Sequence, residues 1–152
     1  MGVSGAGKST VGQALAARLG LPFLDADEFH PPENVAKMAS GTPLTDADRW
    51  PWLDALNRRL RSMPEAVLAC SALKEDYRRR LAQELADCRF VHLRGSIEVI
   101  RERLAARQHR YMPASLLESQ FATLEPPRDA IEVDVSASVP DCVEAITARL
   151  GR

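Results

Sequence analysis

The feature that most constrains this chain is a glycine-rich loop at its beginning. Residues Gly2–Ser9 read GVSGAGKS and fit the pattern G-x-x-x-x-G-K-[ST]. In such a loop, backbone N–H groups and the N-terminus of the following helix face phosphates, and the lysine adds positive charge near the β and γ positions. An apolar helical face follows at Val11, Leu15 and Leu19. The pattern therefore predicts a triphosphate site rather than a chance glycine-rich turn.

The loop residues have separable predicted roles. Glycines allow the backbone to approach the phosphates closely. Lys8 is predicted to be catalytic because its charge lies where negative charge develops, and the Ser9 hydroxyl is a predicted Mg²⁺ ligand. The loop residues predicted to bind the nucleotide are Gly2, Ser4, Gly5, Ala6, Gly7, Lys8, Ser9 and Thr10.

The stretch before the loop is unusually short, since only Met1 precedes Gly2. A loop of this kind normally follows a buried central strand. Absence of that strand would remove two hydrogen-bond ladders and the burial of four or five large side chains, about 6–15 kcal/mol. We therefore expect that the chain as given starts too late, through a misplaced start or a trimmed N-terminus. The neighbouring strands should then either close on each other or leave a gap.

Composition limits the class of protein. The 152 residues are 45% hydrophobic and 27% charged, which suits one α/β domain without repeats. Because 20 Lys and Arg balance 21 Asp and Glu without a basic block, no nucleic-acid partner is expected. The sequence has neither an 18-residue apolar run nor a signal peptide, which predicts a cytoplasmic protein without a membrane partner. Three cysteines without C-x-x-C spacing indicate reduced thiols.

Short apolar runs alternate with helical patterns, which predicts a mainly parallel sheet with helices on both faces. The predicted strands are Pro22–Asp25, Ala66–Cys70, Arg89–Leu93 and Ile131–Val135. The predicted helices include Lys8–Leu19, Trp52–Ser62, Glu75–Ala86, Ile97–Arg107 and a last helix that opens at Ser138, three residues before Asp141. The three consecutive arginines Arg78, Arg79 and Arg80 are predicted to form a solvated helix face.

Two acidic residues, Asp25 and Asp27, end the first predicted strand. Open α/β sheets bind ligands at the carboxyl ends of their strands, and strand alternation would turn both carboxylates toward the phosphate loop. Two carboxylates beside a triphosphate would repel it unless Mg²⁺ intervened. We assign Asp25 to the water shell of the metal and Asp27 to the acceptor hydroxyl. A solvated strand end without function is the alternative.

The segment from His30 to Leu53 carries the most specific pattern of the chain. It contains His30-Pro31, Asn34, Lys37-Met38, Gly41, Pro43-Leu44, Asp46, Asp48-Arg49 and Pro51-Trp52-Leu53. This pattern resembles the signature of the gluconate kinases, relatives of shikimate and nucleoside monophosphate kinases, and shikimate kinases lack it. Further blocks are similar to that family over nearly the whole chain. They are Cys70-Ser71-Ala72-Leu73-Lys74 with Tyr77-Arg78, and Ser119-Gln120-Phe121 with Leu124-Glu125.

The resemblance implies a fold and an activity. The fold would be a three-layer P-loop kinase domain, with an acceptor-binding insertion at about 30–62 and an ATP lid at about 104–125. The activity would be ATP-dependent phosphorylation of gluconate to 6-phosphogluconate with Mg²⁺. Family resemblance also suggests a homodimer. The alternatives are a kinase for another small polyol acid such as shikimate, and a degenerate protein that holds ATP without turnover.

The resemblance also suggests substrate-binding residues. Asp27 would orient the sugar hydroxyl and accept its proton late in transfer. The planar fork of Arg49 suits the gluconate carboxylate, with a salt bridge to Asp46 or Asp48 as the alternative. His30 is either a hydroxyl ligand or a turn residue. Ser71 and Lys74 are further candidates. Trp50 and Trp52 are expected to pack rather than to stack on the sugar.

The ATP lid departs from the family pattern. The family usually reads R-x-G-H-F-M, and this chain reads Arg107-Gln108-His109-Arg110-Tyr111-Met112. The resemblance therefore carries over Arg107 as a catalytic and nucleotide-binding residue, but leaves His109 and Arg110 unassigned. Arg103 lies one helical turn earlier and could join Arg107 in a cationic clamp. Arg128 is assigned to the adenine side by resemblance alone.

Overall fold

The computed structural model describes residues 1–107 and 114–152. Helices and strands alternate along these residues, as the apolar pattern predicts. The helices are α1 Lys8–Leu19, α2 Pro32–Ala39, α3 Asp46–Arg61, α4 Glu75–Ala82, α5 Ile97–Ala106, α6 Ala114–Thr123 and α7 Val139–Leu150. The strands are β1 Phe23–Asp25, β2 Val67–Ala69, β3 Val91–Arg94 and β4 Ile131–Asp134, and a 3₁₀ turn covers Ala26–Phe29.

The strands of the described residues form two separate parallel pairs. In the first pair Leu24 of β1 lies opposite Leu68 of β2, and in the second Leu93 of β3 lies opposite Val133 of β4. Between β2 and β3 lies an open cleft of about 740 Å³. The neighbouring strands were expected either to close on each other or to leave a gap, and β2 and β3 leave a gap.

Helices pack on both sides of the strands and form two apolar cores. One core joins α1, α5 and α7 to β3 and β4, with Ile100 and Ile146 at its centre. The other joins α3 and α4 around Leu53 and Leu56, both fully buried. Helices on both faces of parallel strands confirm the predicted α/β class.

Helix α3 begins earlier than the sequence pattern indicates, at Asp46 rather than Trp52. The cause is a capping box, in which the Thr45 side chain accepts a hydrogen bond from the Asp48 amide and the Asp48 carboxylate accepts one from the Thr45 amide. This early start brings Asp46, Asp48 and Arg49 onto one helical turn. The predicted cap at Ser138 is confirmed, since its hydroxyl accepts from the Asp141 amide.

Helix α4 is shorter than predicted and ends at Ala82 instead of Ala86. The Gln83 backbone leaves the helical region, and Glu84 has a left-handed φ of 59°. Helix α5 likewise ends at Ala106, one residue before the predicted Arg107. No helix in the described ranges is long and apolar enough to cross a membrane.

The prediction that Arg78 is solvated is wrong. Its side chain is 3% exposed and donates to the carbonyls of Ala72, Leu73 and Glu125, and also to the Glu75 carboxylate. Arg79 does match the prediction, with 74% of its side chain exposed. Arg78 is therefore a structural residue that fixes the loop after β2 against the segment that follows α6.

Replacing Arg78 by alanine is expected to destabilise the protein by about 2–4 kcal/mol, because the buried carbonyls of Ala72 and Leu73 and the carbonyl of Glu125 lose their donor. Denaturant unfolding followed by circular dichroism measures this change. The neighbouring Arg79→Ala variant is the matched control and should stay within about 0.5 kcal/mol of the parent. If the free energy of unfolding changed by the same amount in both variants, the hydrogen bonds of Arg78 would add no net stability.

The cysteines match the expectation of reduced thiols, since Cys70, Cys88 and Cys142 are all free. Cys70 is buried at the end of β2, and burial raises the pKa of its thiol to about 11. A thiol with that pKa is a poor nucleophile at neutral pH, so Cys70 serves the core.

Candidate active site

The glycine-rich loop leads directly into α1, and its conformation and packing require glycine at two positions. Gly7 caps the helix with a left-handed φ of 91°, a conformation that other residues rarely adopt. A Cβ on Gly5 would lie 2.9 Å from Cγ of Leu104, so the loop packs against α5 as closely as glycine allows. The N-terminus of α1 therefore opens at Lys8 with its first amide groups available to an anion.

Lys8 is half-buried above this loop. Its Nζ donates to the Val3 carbonyl at 3.0 Å. Burial lowers the pKa of the ammonium, while the carboxylates of Asp27 and Asp25 act in the opposite direction. The Lys8 charge is thus held at the loop, within reach of two acids from the next segment.

The Ser9 hydroxyl donates to Oδ2 of Asp25 at 3.1 Å, which brings together the two residues predicted to hold the metal. A hydroxyl and a carboxylate beside a phosphate loop are the hard oxygen donors that Mg²⁺ takes, with water and phosphate completing its shell. Within the described ranges no cluster of three or more His, Cys, Asp or Glu forms a separate metal centre. The donor set at Ser9 and Asp25 fits Mg²⁺.

Asp27 reaches the site by a different route from the one predicted. Strand β1 ends at Asp25, and Asp27 lies in the first turn of the 3₁₀ helix, so strand alternation does not orient it. The turn forms because Oδ1 of Asp25 accepts from the Asp27 amide at 3.0 Å. Asp27 nevertheless lies close enough to Lys8 and His30 to raise the pKa of each against the effect of burial.

His30 follows that turn and stacks on Trp52, with ring centroids 4.2 Å apart and 15° between the planes. Its Nδ1 lies 3.3 Å from Nδ2 of Asn34. Burial lowers the pKa of His30, which keeps the ring neutral and able to both donate and accept hydrogen bonds. Trp52 is 3% exposed and donates to the Ala26 carbonyl, so its predicted packing role is confirmed.

The two acidic residues nearest to Arg49 in the sequence are paired with lysines. Asp48 pairs with Lys37 at 2.8 Å, and Asp46 binds Lys74, so neither carboxylate of the sequence alternative is bonded to Arg49 in the described residues. One guanidinium nitrogen is 3.5 Å from the Leu44 carbonyl, and the buried Nε has no partner there. A guanidinium with spare donors beside His30 can bind an incoming carboxylate.

Lys74 and Asp46 form a second polar group near Arg49. The Lys74 ammonium lies 3.2 Å from Oδ1 of Asp46, and the buried Tyr77 hydroxyl donates to the same carboxylate. These hydrogen bonds lower the pKa of Asp46. Arg49 and Lys74 also approach the Tyr77 ring, at 5.3 and 5.5 Å from its centroid. Sequence reasoning gave Tyr77 no role, although it lies in one of the quoted blocks.

The remaining predicted residues lie at different distances from the loop. The Ser71 carbonyl accepts from the Gly2 amide at 3.2 Å. Arg103 donates to the Val135 carbonyl and passes 3.9 Å from the Cβ position of Gly7, and Arg107 is close enough to lower the pKa of Lys8. Arg128 is exposed in the loop between α6 and β4. His109 and Arg110 lie outside the described residues.

Gln120 is a site residue that the sequence did not reveal. Its Oε1 accepts from the Ser4 amide at 2.7 Å, and its Nε2 lies 3.2 Å from the Ser4 hydroxyl. The side chain thus joins α6 to the phosphate loop across 116 positions of sequence. The one sequence signal for this role was that Gln120 lies in the block Ser119-Gln120-Phe121, which is similar to the family.

Comparisons with known proteins agree with this geometry. A family model described as Shikimate kinase matches residues 4–138. The gluconokinase of Gluconobacter oxydans (strain 621H) is 51% identical over 133 residues, covering 85% of this chain and 75% of the relative. The thermoresistant gluconokinase of Escherichia coli (strain K12) is 45% identical, covering 89% of this chain and 79% of the relative. The chain belongs to the gluconokinase family.

Solved structures agree with this gluconokinase assignment. The crystal structure of a gluconokinase from Sinorhizobium meliloti 1021 matches with a TM-score of 0.93 and 47% identity, covering 100% of this chain and 89% of that one. A shikimate kinase from Bacteroides thetaiotaomicron has a TM-score of 0.69 at 15% identity, which shows a shared fold alone. The predicted P-loop kinase fold and the gluconate kinase resemblance are both confirmed.

Proposed function

We propose that this protein is a gluconokinase that transfers the γ-phosphoryl group of ATP to D-gluconate and forms 6-phospho-D-gluconate. The observation that carries the proposal is the position of Asp27. Its carboxylate lies close enough to Lys8, at the phosphate loop, and to His30, beside Arg49, to favour the charged form of each. A carboxylate between a phosphate-binding lysine and a polar acceptor pocket is what transfer to a hydroxyl requires.

The phosphate side supplies positioning and charge. The loop amides and the N-terminus of α1 bind the phosphates, and Lys8 neutralises charge on the transferred group. Ser9 and Asp25 would hold Mg²⁺, which would neutralise negative charge on the phosphates. Arg107 would contribute to catalysis, and Arg103 and Arg128 would complete nucleotide binding.

The acceptor side recognises a polyhydroxy acid. Arg49 has unoccupied donors for the carboxylate, and His30 offers a neutral ring to a hydroxyl. Ser71 and Lys74 would bind further oxygens. Asp27 orients the reacting hydroxyl and accepts its proton late, because phosphoryl transfer passes through a loose transition state.

Two segments of the domain have separate roles in substrate binding. Residues at about 30–62 form the acceptor-binding part, and residues at about 104–125 form a lid over ATP that excludes water when it closes. We place this single-domain enzyme in the cytoplasm, with gluconate as its small-molecule partner, without nucleic-acid or membrane partners, and with a homodimer as its assembly.

A coupled assay that follows ADP release tests the proposal with three arms. Gluconate should support turnover, while shikimate and the reaction without acceptor should remain at background. Turnover on shikimate alone would assign another polyol-acid kinase. ATP binding without turnover on either acceptor would assign a nucleotide-holding protein.

Replacing Arg49 by lysine is expected to raise KM for gluconate by about tenfold or more, with KM for ATP changing less than about twofold, because a point charge cannot reproduce the guanidinium fork. Steady-state kinetics with each substrate varied in turn measure both constants. Arg58→Lys, on the same helix, is the matched control and should behave as the parent. Equal changes in both KM values would instead give Arg49 a structural role.

A further inference from the structure

One buried amide, the side chain of Asn34, joins two parts of the acceptor site. Asn34 lies on α2 and is 3% exposed. Its Nδ2 is 2.9 Å from the Asp48 carbonyl of α3 and 3.3 Å from Nδ1 of His30, at the end of the 3₁₀ turn. Since Arg49 directly follows Asp48, this amide contacts the segments that carry both His30 and Arg49.

The contact with Asp48 determines which way the Asn34 amide points. A backbone carbonyl only accepts hydrogen bonds, so the atom 2.9 Å from it must be the NH₂ group of the side chain. The reverse orientation would place the amide oxygen of Asn34 against the carbonyl oxygen of Asp48 in a buried position. One hydrogen of the NH₂ group therefore binds Asp48, and the other is available to His30.

This orientation determines where the His30 ring carries its proton. Because the NH₂ group of Asn34 is a donor, Nδ1 of His30 must be an acceptor and can carry no hydrogen. A neutral imidazole with an unprotonated Nδ1 carries its hydrogen on Nε2. The stack on Trp52, with 15° between the ring planes, limits rotation of the ring. The geometry thus selects the Nε2–H tautomer.

The second ring nitrogen of His30 is the one that a ligand can reach. The ring is only partly buried, and its Nε2 makes no hydrogen bond within residues 1–107 and 114–152. The charged side chains close enough to act on the ring are Asp27 and Arg49, both assigned to the acceptor side. His30 therefore offers a hydrogen-bond donor, Nε2–H, to the acceptor substrate.

We propose that Asn34 is a positioning residue that holds His30 as the Nε2–H tautomer, so that His30 donates to the acceptor hydroxyl and leaves the hydrogen of that hydroxyl to Asp27. The role at the hydroxyl rests on the proposed function, whereas the tautomer is a property of the ligand-free protein. A hydroxyl has one hydrogen and two lone pairs. One lone pair binds His30, the other faces the phosphoryl group, and the hydrogen points to Asp27. An accepting Nε2 would compete with Asp27 for that hydrogen.

Nitrogen NMR of the ligand-free, isotope-labelled protein measures the tautomer directly, at about pH 8 where histidine rings are neutral. A protonated ring nitrogen and an unprotonated one have widely separated chemical shifts. The chain has three histidines, and the His30→Gln variant identifies the His30 signals by their loss. We expect Nε2 to be protonated and Nδ1 to be unprotonated in the parent protein.

Replacing Asn34 by aspartate should move the hydrogen to Nδ1. The carboxylate has nearly the shape of the amide but only accepts hydrogen bonds, so Nδ1 becomes a donor. Lys37→Gln, one turn later on α2, is the matched control. It removes the 2.8 Å ion pair with Asp48 but keeps the Asn34 amide, and should retain the Nε2–H tautomer. Asn34→Ala removes the amide without adding charge, and should give a mixture of both tautomers even if the aspartate variant does not fold.

Steady-state kinetics test the consequence for the reaction. Asn34→Asp should lower kcat/KM for gluconate by about tenfold or more, with KM for ATP changing less than about twofold. In a His30→Gln background no ring tautomer remains, and the same change should have an effect of at most about threefold. This loss of effect is not expected of a residue that only supports the packing of α2.

Several outcomes would overturn the proposal. They are a hydrogen on Nδ1 in the parent protein, or an unchanged tautomer in both Asn34 variants. Equal tautomer changes in Asn34→Asp and Lys37→Gln would mean that the packing of α2 on α3 determines the tautomer. A reversed tautomer with unchanged gluconate kinetics would exclude the role at the hydroxyl. Absence of gluconate turnover in the parent would overturn the proposed function alone, because the NMR result is obtained without ligand.

Discussion

Replacing Lys8 by alanine is expected to lower kcat for gluconate phosphorylation by about a thousandfold while leaving the fold intact. The ammonium is held at the phosphate loop by the Val3 carbonyl, and it stabilises charge that develops on the transferred phosphoryl group. Its removal leaves the backbone of the loop in place, because the left-handed turn at Gly7 and the helix α1 do not depend on this side chain.

Steady-state kinetics and thermal unfolding check the two parts of this expectation. Arg18→Ala, an exposed change in the last turn of the same helix, is the control and should keep parent activity. Retention of more than about a tenth of kcat by Lys8→Ala would exclude a catalytic role for this lysine. Loss of the unfolding transition would show a structural role instead.

Replacing Asp27 by asparagine is expected to lower kcat by about a hundredfold or more, with KM for ATP nearly unchanged. The change keeps the volume of the side chain but removes the carboxylate that orients the hydroxyl and accepts its proton. Asp25→Asn is the matched partner, because it makes the same chemical change two residues earlier. That variant should raise the Mg²⁺ concentration for half-maximal activity by about tenfold, since Oδ2 of Asp25 contacts Ser9.

Magnesium titrations of both variants separate the two roles. A midpoint that moves for Asp25→Asn and not for Asp27→Asn supports the assignment. If Asp27→Asn alone moves the midpoint, the two roles are reversed. Activity near the parent level in both variants would show that Asp25 and Asp27 are solvated residues without a catalytic role.

Local sequence signals predicted helix α1 well and helix α4 poorly. Helix α1 has the predicted bounds because Gly7 and Gly20, both with left-handed φ, mark its two ends. Helix α4 ends where Glu84 takes a left-handed φ of 59°, and glutamate gives no such signal in a sequence. Element ends are therefore predictable where the residue type itself requires the backbone conformation.

The candidate site shows the same limit at longer range. Arg78, Arg79 and Arg80 are chemically alike, yet Arg78 is buried because it meets the Glu125 carbonyl, 47 positions away. Asp27 is oriented by a hydrogen bond to the Asp25 side chain rather than by a continued strand. Residue types and family-like motifs identified the chemistry, while contacts distant in sequence decided which side chains were buried.

The position of the tryptophans gives the protein a built-in optical reporter. The chain has two tryptophans, and both lie on α3. Trp52 stacks on His30, and Trp50 meets the edge of Tyr77 with ring centroids 5.7 Å apart. Tryptophan emission therefore reports on the surroundings of His30 and Tyr77. Emission intensity can therefore follow changes around His30 and Tyr77 during a titration with ligand, without an added label.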